Sequence, residues 1–456
     1  RFTGKPSQIC NTLFVTERKM KTARQTAFEI LNKIERDKSY SNLTLDSYLY
    51  SANLSAADNA LVSALVYGVL ERSISLDYCL SRHLKQPLKK LKPQVLTALR
   101  LGTYQLLFMD KIPVSAAVNE SVTLVKKNGC AFASGLVNAV LRAVSKEGFV
   151  LPDDTDKIKY FSVKYSFPEN LVNLWIDSYG EENALGIMSS CAGRPPLTIR
   201  VNTLRISQEE LITRLENEGV RATKSTVENA LNLEKCGSIE KFSAFEEGLF
   251  HVQDAASQLC AKALEAKPGD SVLDICSAPG GKAFTCAQYM ENQGRILACD
   301  IHSHRLALIK ESANRLGINL IDVLRNDASV FNPDLPQFDR VLCDVPCSGL
   351  GIVRRKPEIR HKSLEEISLL PELQFTILSN AARYLKNGGR LVYSTCALNP
   401  AENERVCERF LNENNDFLLK DISDISDNVY SSGGMITLMP HNNSTDGFFI
   451  AVFERS

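Results

Sequence analysis

The stretch Val272-Leu273-Asp274-Ile275-Cys276-Ser277-Ala278-Pro279-Gly280-Gly281-Lys282 decides the fold, because an apolar β-prone run ends in a paired-glycine turn. Val272 to Cys276 reads as a strand. The glycines let the backbone approach a ligand closely, and the helix that follows offers it free amide groups. From about Leu249 onward, strand-like and helix-like segments alternate as in a doubly wound, Rossmann-like α/β sheet. Further strands are expected at Arg295 to Asp300, Asp322 to Arg325, Arg340 to Cys343, Arg390 to Ser394 and Phe448 to Phe453. Capping signals place helices between them: Ser363 with Glu366 three positions on, and Asn399 followed by Pro400 and Glu402. Right-handed crossovers bring the C-terminal end of every strand to one edge, and the motifs lie at those ends.

Two phosphate-binding loops compete for the glycine turn, and neither fits. A Walker loop needs glycine where this chain has Cys276 and Ser or Thr where it has Ala283, and the Gly-x-Gly-x-x-Gly fingerprint is absent. What remains is a loop for a ligand carrying a carboxylate and an adenosine, such as S-adenosylmethionine. Asp300, at the end of the second strand, is placed to accept hydrogen bonds from ribose hydroxyls. Asp327, ending the third, is placed to meet the adenine edge. Either acid alone is more simply a cap or surface residue, but together beside the glycine loop they favour the ligand role.

Two cysteines stand at later strand ends: Cys347 in Asp344-Val345-Pro346-Cys347-Ser348-Gly349, and Cys396 in Tyr393-Ser394-Thr395-Cys396. A thiol nucleophile beside a nucleotide-type cofactor suggests methylation of a pyrimidine carbon. Carbon 5 of cytosine is a poor nucleophile until a thiolate adds at carbon 6 and makes the ring enamine-like. A free thiol is only a few per cent ionised at neutral pH, and the helix expected to start at Asn399-Pro400 would favour the Cys396 thiolate. Asp344 is the candidate to hydrogen-bond or protonate ring nitrogen 3 as charge builds there. Spacing does not say which thiol attacks. Cys10, Cys79, Cys130, Cys191, Cys236, Cys260, Cys286, Cys299 and Cys407 read as small apolar core residues. No metal is expected: Cys343 and Cys347 are a single spaced pair with no second pair or His partner at zinc spacing.

Away from this region the 456 residues suggest about three domains. Apolar content of 44% and charge of 23% are ordinary globular values, and no run is apolar for the roughly 18 residues that span a bilayer. The 13 scattered cysteines suit a reducing, cytoplasmic compartment. Residues 1–19 read as a flexible extension or cloning remnant. Residues 20–150 are helical throughout, with Ala27, Ile30, Leu31 and Ile34 marking one buried face and further helices at Leu61 to Leu70, Val95 to Met109, Ala116 to Lys127 and Ser134 to Val144. Residues 151–165 read as a linker. Residues 166–248 read as a small α/β module, with helices around Leu171 to Tyr179 and Glu182 to Ser190, a strand at Leu197 to Val201 and a helix capped by Ser207.

The formal net charge is zero, but its distribution is uneven. No acid falls between Asp77 and Asp110, whereas Arg82, Lys85, Lys89, Lys90, Lys92 and Arg100 do. A second cluster, Arg354, Arg355, Lys356, Arg360 and Lys362, follows the Cys347 loop. Either block can neutralise RNA phosphates or simply be a solvated face, and the second gains weight from its position beside the chemistry.

The glycine-loop segment Asp274 to Lys282, Asp344 to Gly349, Arg355-Lys356-Pro357-Glu358 and Ser394-Thr395-Cys396-Ala397-Leu398-Asn399-Pro400-Ala401-Glu402-Asn403 together resemble the RNA cytosine-5 methyltransferase family. Ala116 to Val122 and Leu136 to Leu141 resemble the NusB family of RNA-binding helical domains, and the combination is similar to bacterial enzymes acting on 16S rRNA. The resemblance implies a class I methyltransferase domain using S-adenosylmethionine. It places Cys276, Ser277, Ala278, Pro279, Gly280, Gly281, Lys282, Asp300, Asp327 and Asp344 around that cofactor, with Lys282 and Asp344 near the base. It assigns attack to Cys396 and a part in product release to Cys347. The implied partner is 16S rRNA, held by Arg82, Lys85, Lys89, Lys90, Lys92, Arg354, Arg355 and Lys356, with no membrane and no metal, and a monomer is expected. Ala283 departs from the family's usual Thr. An RNA-binding assembly factor without activity has no use for Cys347, Cys396 and Asp344 together. Amino-directed methyltransferases carry an Asn or Asp-Pro-Pro-aromatic loop in place of Asp344-Val345-Pro346-Cys347, and need no thiol.

Overall fold

The computed structural model describes residues 22–37, 41–52, 54–193, 195–234, 236–427 and 429–456. Cys10 and the expected extension at 1–19 lie outside them. The chain divides into two compact units, Arg1–Val150 and Leu151–Ser456.

The first unit is helical: α1 (Ala23–Asp37), α2 (Ser41–Ala52), α3 (Ala56–Ser81), α4 (Pro93–Phe108), α5 (Val114–Lys127) and α6 (Ser134–Glu147). Ala27, Ile30, Leu31 and Ile34 are buried on one face of α1, as their spacing requires. Helix α3 is far longer than the expected Leu61 to Leu70, since Ser55 caps it by accepting from Asp58 N and nothing breaks it before Ser81. Helices α4, α5 and α6 approach closely at Gly102, where a Cβ would stand 2.5 Å from Leu141 Cδ1 and 2.7 Å from Ser121 Oγ. No helix of the described residues is long and apolar enough to cross a membrane.

The second unit begins with α7 (Lys157–Tyr165) and α8 (Glu169–Ser190), the latter interrupted at Gly180. The segment expected to be a linker to residue 165 is thus helical from Lys157. Its apolar Phe161 joins Phe167, Trp175 and Tyr179 in a core shared with Leu350, Val353, Ile359 and Leu398, and burying those rings outweighs the polar start of the segment. Trp175 Nε1 also donates to Leu398 O at 3.0 Å, so these helices brace the loops that follow both Cys347 and Cys396.

Next come β1 (Leu197–Val201), α9 (Gln208–Asn217), β2 (Arg221–Lys224), β3 (Ala230–Glu234), α10 (Ser243–Glu246) and β4 (Phe250–Val252). They form an antiparallel sheet of order β2-β3-β1-β4. Ser207 and Glu210 close the capping box on α9. Strand β4 lies beyond the expected module boundary at residue 248, because its pairing with β1 is non-local and leaves no signal in so short a run.

The remainder is α11 (Ala255–Ala263), β5 (Ser271–Asp274), α12 (Gly281–Tyr289), β6 (Arg295–Asp300), α13 (Ser303–Leu316), β7 (Ile321–Arg325), β8 (Phe338–Asp344), α14 (Leu364–Ser368), α15 (Leu370–Arg383), β9 (Leu385–Thr395), α16 (Glu404–Glu413), β10 (Phe417–Lys420), β11 (Tyr430–Ser432), β12 (Met435–Leu438), α17 (Pro440–Asn443) and β13 (Phe448–Arg455). The sheet order is β11-β12-β13-β9-β8-β5-β6-β7, with β10 on β13. Strands β5 to β9 run parallel, and β13 returns antiparallel to β9. Side chains alternate: Val272, Ile296, Leu342 and Val392 fill one face, and Leu273, Leu297, Val341 and Leu391 the other. The chain leaves β5 toward β6 and β7, then crosses back to β8 and β9. The topological switch point therefore lies between β5 and β8, where a ligand crevice is expected at the strands' C-terminal ends.

Candidate active site

Strands β5, β6, β8 and β9 end at Asp274, Asp300, Asp344 and Thr395, so their loops converge on that crevice. The glycine loop is held to the sheet by Ser277 N donating to Cys299 O and closed by Gly280 N donating to Ser277 O, both at 2.7 Å, and its Ala278–Pro279 peptide is cis. Gly280 has φ +98°, and a Cβ there would stand 2.6 Å from the Phe284 ring, so only glycine serves. Helix α12 starts at Gly281, leaving the unpaired amides of its first turn at the crevice. Asp274 is buried beneath, neither of its oxygens making a well-formed hydrogen bond. Burial pushes its carboxyl up to about 7, which Ser277 and Lys282 only partly offset.

Cys347 Sγ and Cys396 Sγ stand 2.9 Å apart, each thiol half-buried. Lys282 Nζ reaches Asp344 Oδ2 at 2.6 Å, and Ser394 Oγ donates to Asp344 Oδ1 at 2.8 Å. Both oxygens of Asp344 are thereby oriented by neighbours. Burial opposes the Lys282 charge, but the Asp344 carboxylate prevails and the ammonium is raised above its ordinary value. The Cys347 thiol is raised well above the usual thiol range, first by its hydrogen bond with Cys396 and then by burial, with the Cys396, Glu402 and Asp344 charges adding. At this separation the two thiols share one hydrogen bond, in which either sulfur can donate. The helix expected at Asn399-Pro400 begins only at Glu404, after a turn, so α16 does not start beside Cys396. The residues between are spent on the turn itself: Thr395 Oγ1 donates to Asn403 Oδ1 at 2.6 Å, and Asn403 Nδ2 to Ala397 O at 2.9 Å. What accompanies Cys396 is Cys347.

Comparison with known proteins gives the family of the chain. Residues 261–454 match the 16S rRNA methyltransferase RsmB/F family, residues 21–146 the NusB family, and residues 167–240 the RsmF/B-like ferredoxin-like domain. A probable ribosomal RNA small subunit methyltransferase B of Bacillus subtilis is 38% identical over 96% of this chain and 99% of its own length. The chain belongs to the ribosomal RNA small subunit methyltransferase B family. A second relative, the ribosomal RNA small subunit methyltransferase B of Proteus mirabilis, is 32% identical over 88% of this chain and 92% of its own. Among solved structures, PH0851 superposes with a TM-score of 0.81 at 26% identity, covering 95% of this chain and 99% of that one. NSun6 from Pyrococcus horikoshii, solved with the S-adenosylmethionine analogue SFG, gives 0.57 at 25% identity over 64% of this chain and 99% of its own.

The small subunit methyltransferase B family methylates ribosomal RNA with S-adenosylmethionine as donor. The crevice suits that cofactor: Asp274 Oδ1 and Oδ2, Ser277 Oγ and Asn326 Nδ2 are buried polar atoms without a formed hydrogen bond, next to the amides of α12. Asp300, at the end of β6, is buried, and its Oδ1 accepts from His302 N at 2.8 Å. Asp327 is exposed, and its Oδ1 accepts from Ser329 N and Oγ at 3.0 and 2.6 Å, which is the local turn role weighed against the ligand role. Its neighbour Asn326 carries the unpaired buried amide. Ala283 is buried in the core, and the hydroxyl of this first turn belongs to Thr285, which donates to Gln253 Oε1 at 2.6 Å.

The two basic clusters part company. Lys85, Lys89, Lys90 and Lys92 are exposed, and Lys92 Nζ lies 5.1 Å from the Phe132 ring centre. Arg82 pairs with Glu147 at 2.7 Å and Arg100 with Asp77 at 2.7 Å. In the second cluster Arg355 contradicts the RNA expectation: its guanidinium bridges Asp254, at 2.9 Å, and Asp446. Two largely buried carboxylates need a counter-charge more than a surface needs a phosphate contact. Arg360 is buried over the Phe167 ring, donating to Ser166 O at 2.9 Å, and Lys362 Nζ donates to Ser348 O at 2.8 Å. Arg354 and Lys356 are half-buried. The thiols Cys79, Cys130, Cys191, Cys260, Cys286, Cys299 and Cys407 are buried as expected, and Cys236 is half-buried. Among the described residues no cluster of three or more His, Cys, Asp or Glu is arranged to hold a metal ion.

Ser394, Asn326 and Glu402 were not legible as site residues. Ser394 sits inside a strand motif read only for its cysteine, and the Asn399 to Asn403 run reads as a helix cap.

Proposed function

We propose that this chain methylates carbon 5 of a cytosine in 16S rRNA through a transient bond between Cys396 Sγ and carbon 6 of the base, with Cys347 serving product release. The observation that carries this reading is the pair of half-buried thiols 2.9 Å apart beside the Lys282–Asp344 pair at the switch-point crevice. A methyltransferase directed at an exocyclic nitrogen needs no sulfur there.

The Cys347 thiol stands within hydrogen-bond reach of Cys396 Sγ, the sulfur proposed to attack. Cys396 Sγ bonds to carbon 6, the electron pair of the ring double bond becomes available at carbon 5, and charge spreading toward nitrogen 3 is met by a proton that the Lys282 ammonium passes through Asp344 and recovers when the ring double bond re-forms. S-adenosylmethionine, when bound, supplies the electrophilic methyl group. The hydrogen bond to Cys396 is the leading reason that Cys347 holds its proton, and that bond is lost once Cys396 is alkylated by the base. Cys347 then gives its thiol proton to solvent and, as the thiolate, takes the carbon 5 proton; the electrons of that carbon–hydrogen bond re-form the ring double bond and the Cys396 sulfur leaves with its electron pair. Cys276 to Lys282, Asp300, Asp327 and Asp344 form the proposed cofactor crevice. Lys85, Lys89, Lys90 and Lys92 are the proposed phosphate contacts of the helical unit. All the reacting groups come from one chain, so the reading needs no second copy. Thiols that must stay reduced suit the cytoplasm.

RNA carrying 5-fluorocytosine tests the reading, because fluorine at carbon 5 blocks the final elimination. The unaltered protein with S-adenosylmethionine forms a covalent adduct stable to denaturing electrophoresis. Cys396→Ala forms none, and Cys347→Ala holds an adduct even on ordinary RNA. An adduct that survives Cys396→Ala reverses the two roles, and methyl found on an exocyclic nitrogen or ribose oxygen ends the proposal.

A further inference from the structure

The turn between Cys396 and α16 carries one acidic side chain that the chemistry above does not use. Glu402 is 0% exposed, yet among the described residues it meets no cation within ion-pair distance. Its Oε2 accepts from Ser348 N at 2.8 Å and Gln374 Nε2 at 3.0 Å, and its Oε1 accepts from Asn399 Nδ2 at 3.0 Å. The amide orientations are fixed independently: Gln374 Nε2 also donates to Pro346 O at 3.0 Å, and Asn399 Oδ1 accepts from Ala401 N at 3.2 Å. All three partners are donors, so both oxygens accept. Ser348 directly follows Cys347, Pro346 directly precedes it, and Asn399 stands on the loop that Cys396 opens. Tyr393 Oη donates to the Glu402 carbonyl at 2.6 Å, anchoring the turn to β9.

We propose that Glu402 is the positioning residue for the thiol pair, locking the Cys347 loop against the Cys396 loop so that the two sulfurs act as one donor and one acceptor. The inference rests on the covalent reading of the site and adds the element that makes the two thiols unequal. Beside the Cys396 hydrogen bond and burial, the Glu402 charge helps to raise the Cys347 thiol and so makes a negative charge there less favourable. The bond from Ser348 N spans the two loops directly and Gln374 bridges Glu402 to Pro346, which fixes the spacing of two loops that come from different strands, while the Asn399 bond holds Glu402 within its own turn.

Glu402→Gln keeps the shape but removes the charge and sets an amide N–H against one of the three donors. In the whole protein it lowers kcat on the order of 10- to 100-fold with the KM values for S-adenosylmethionine and RNA unchanged, since loss of sulfur alignment acts on the chemical step. Iodoacetamide labelling across pH 6 to 9, read at each cysteine by peptide mapping, separates this role from mere scaffolding. In the unaltered protein Cys396 is labelled well before Cys347, and in Glu402→Gln that preference narrows about tenfold. Gln374→Met removes only the link to Pro346 and one donor, and gives the same change in smaller measure; it serves if Glu402→Gln does not fold. An unchanged labelling preference in whichever variant folds overturns the proposal. Failure of the unaltered protein to form the 5-fluorocytosine adduct instead overturns the covalent reading itself, a distinct result.

Discussion

Two basic segments that look alike in sequence meet opposite fates. Arg82 to Lys92 leaves its lysines in solvent, whereas Arg354 to Lys362 turns Arg355, Arg360 and Lys362 onto acids, backbone carbonyls and an aromatic ring. The first connects two helices of a domain whose apolar faces are already satisfied. The second is the return of the Cys347 loop, which crosses between the small sheet, α7–α8 and the catalytic sheet and must neutralise what those elements bury. A run of positive charge that follows a cysteine loop can thus hold the frame of that loop rather than face solvent.

The sharpest way to break the contrast is Arg355→Ala. Removing the guanidinium leaves Asp254 and Asp446 facing each other, and breaking a buried pair in this way costs about 3–5 kcal/mol. Thermal denaturation should show a Tm loss of many degrees, with Arg355→Lys recovering little, because one ammonium does not reproduce the fork. A loss of RNA affinity without a loss of stability contradicts the structural role.

A pH scan refines it. Burial, with Asp254 adding, pushes the Asp446 carboxyl up to about 7 even beside Arg355. Between about pH 4 and 7 the folded protein holds a proton that the unfolded chain has released, so this contribution is full below that window and is lost as pH rises through it. Asp446→Asn removes the titration and still accepts from Arg355. Roughly 1–2 kcal/mol of added stability at pH 8, and little change at pH 4, is expected in denaturant melts. Equal effects at both pH values mean that packing and not ionisation dominates.

The smallest stability effect is expected in the other segment. Lys89→Ala, Lys90→Ala and Lys92→Ala combined shift unfolding by about 0.5 kcal/mol or less. The same triple variant lowers the salt dependence of RNA binding by up to about 0.7–0.9 for each phosphate it no longer neutralises. An unchanged salt slope in filter binding removes this loop from the RNA interface.

Much of the molecule was legible in one dimension. Strand β6 and strand β1 fall where alternation and flanking turns place them, Ser207 caps α9, and the glycine loop, Asp344, Cys347 and Cys396 do meet at one sheet edge. The misreadings share a cause. Helix α7 was hidden by a polar start, β4 by its brevity, and the turn before α16 by side chains that mimic a cap while bonding elsewhere. In each, partners distant in sequence override the local signal.

The sequence by itself determined the parallel sheet, the glycine loop and the strand-end places of Cys347 and Cys396, because period-two burial, glycine at positive φ and strand-end placement are local consequences of residue type. Only the tertiary structure decided which cations face solvent, that the two sulfurs touch, that Glu402 accepts from Ser348, Gln374 and Asn399, and that Ser394 donates to Asp344. Those outcomes depend on burial and on partners brought together from separate strands, and the cost of an unpaired buried charge is set by the assembled surroundings rather than by any one segment.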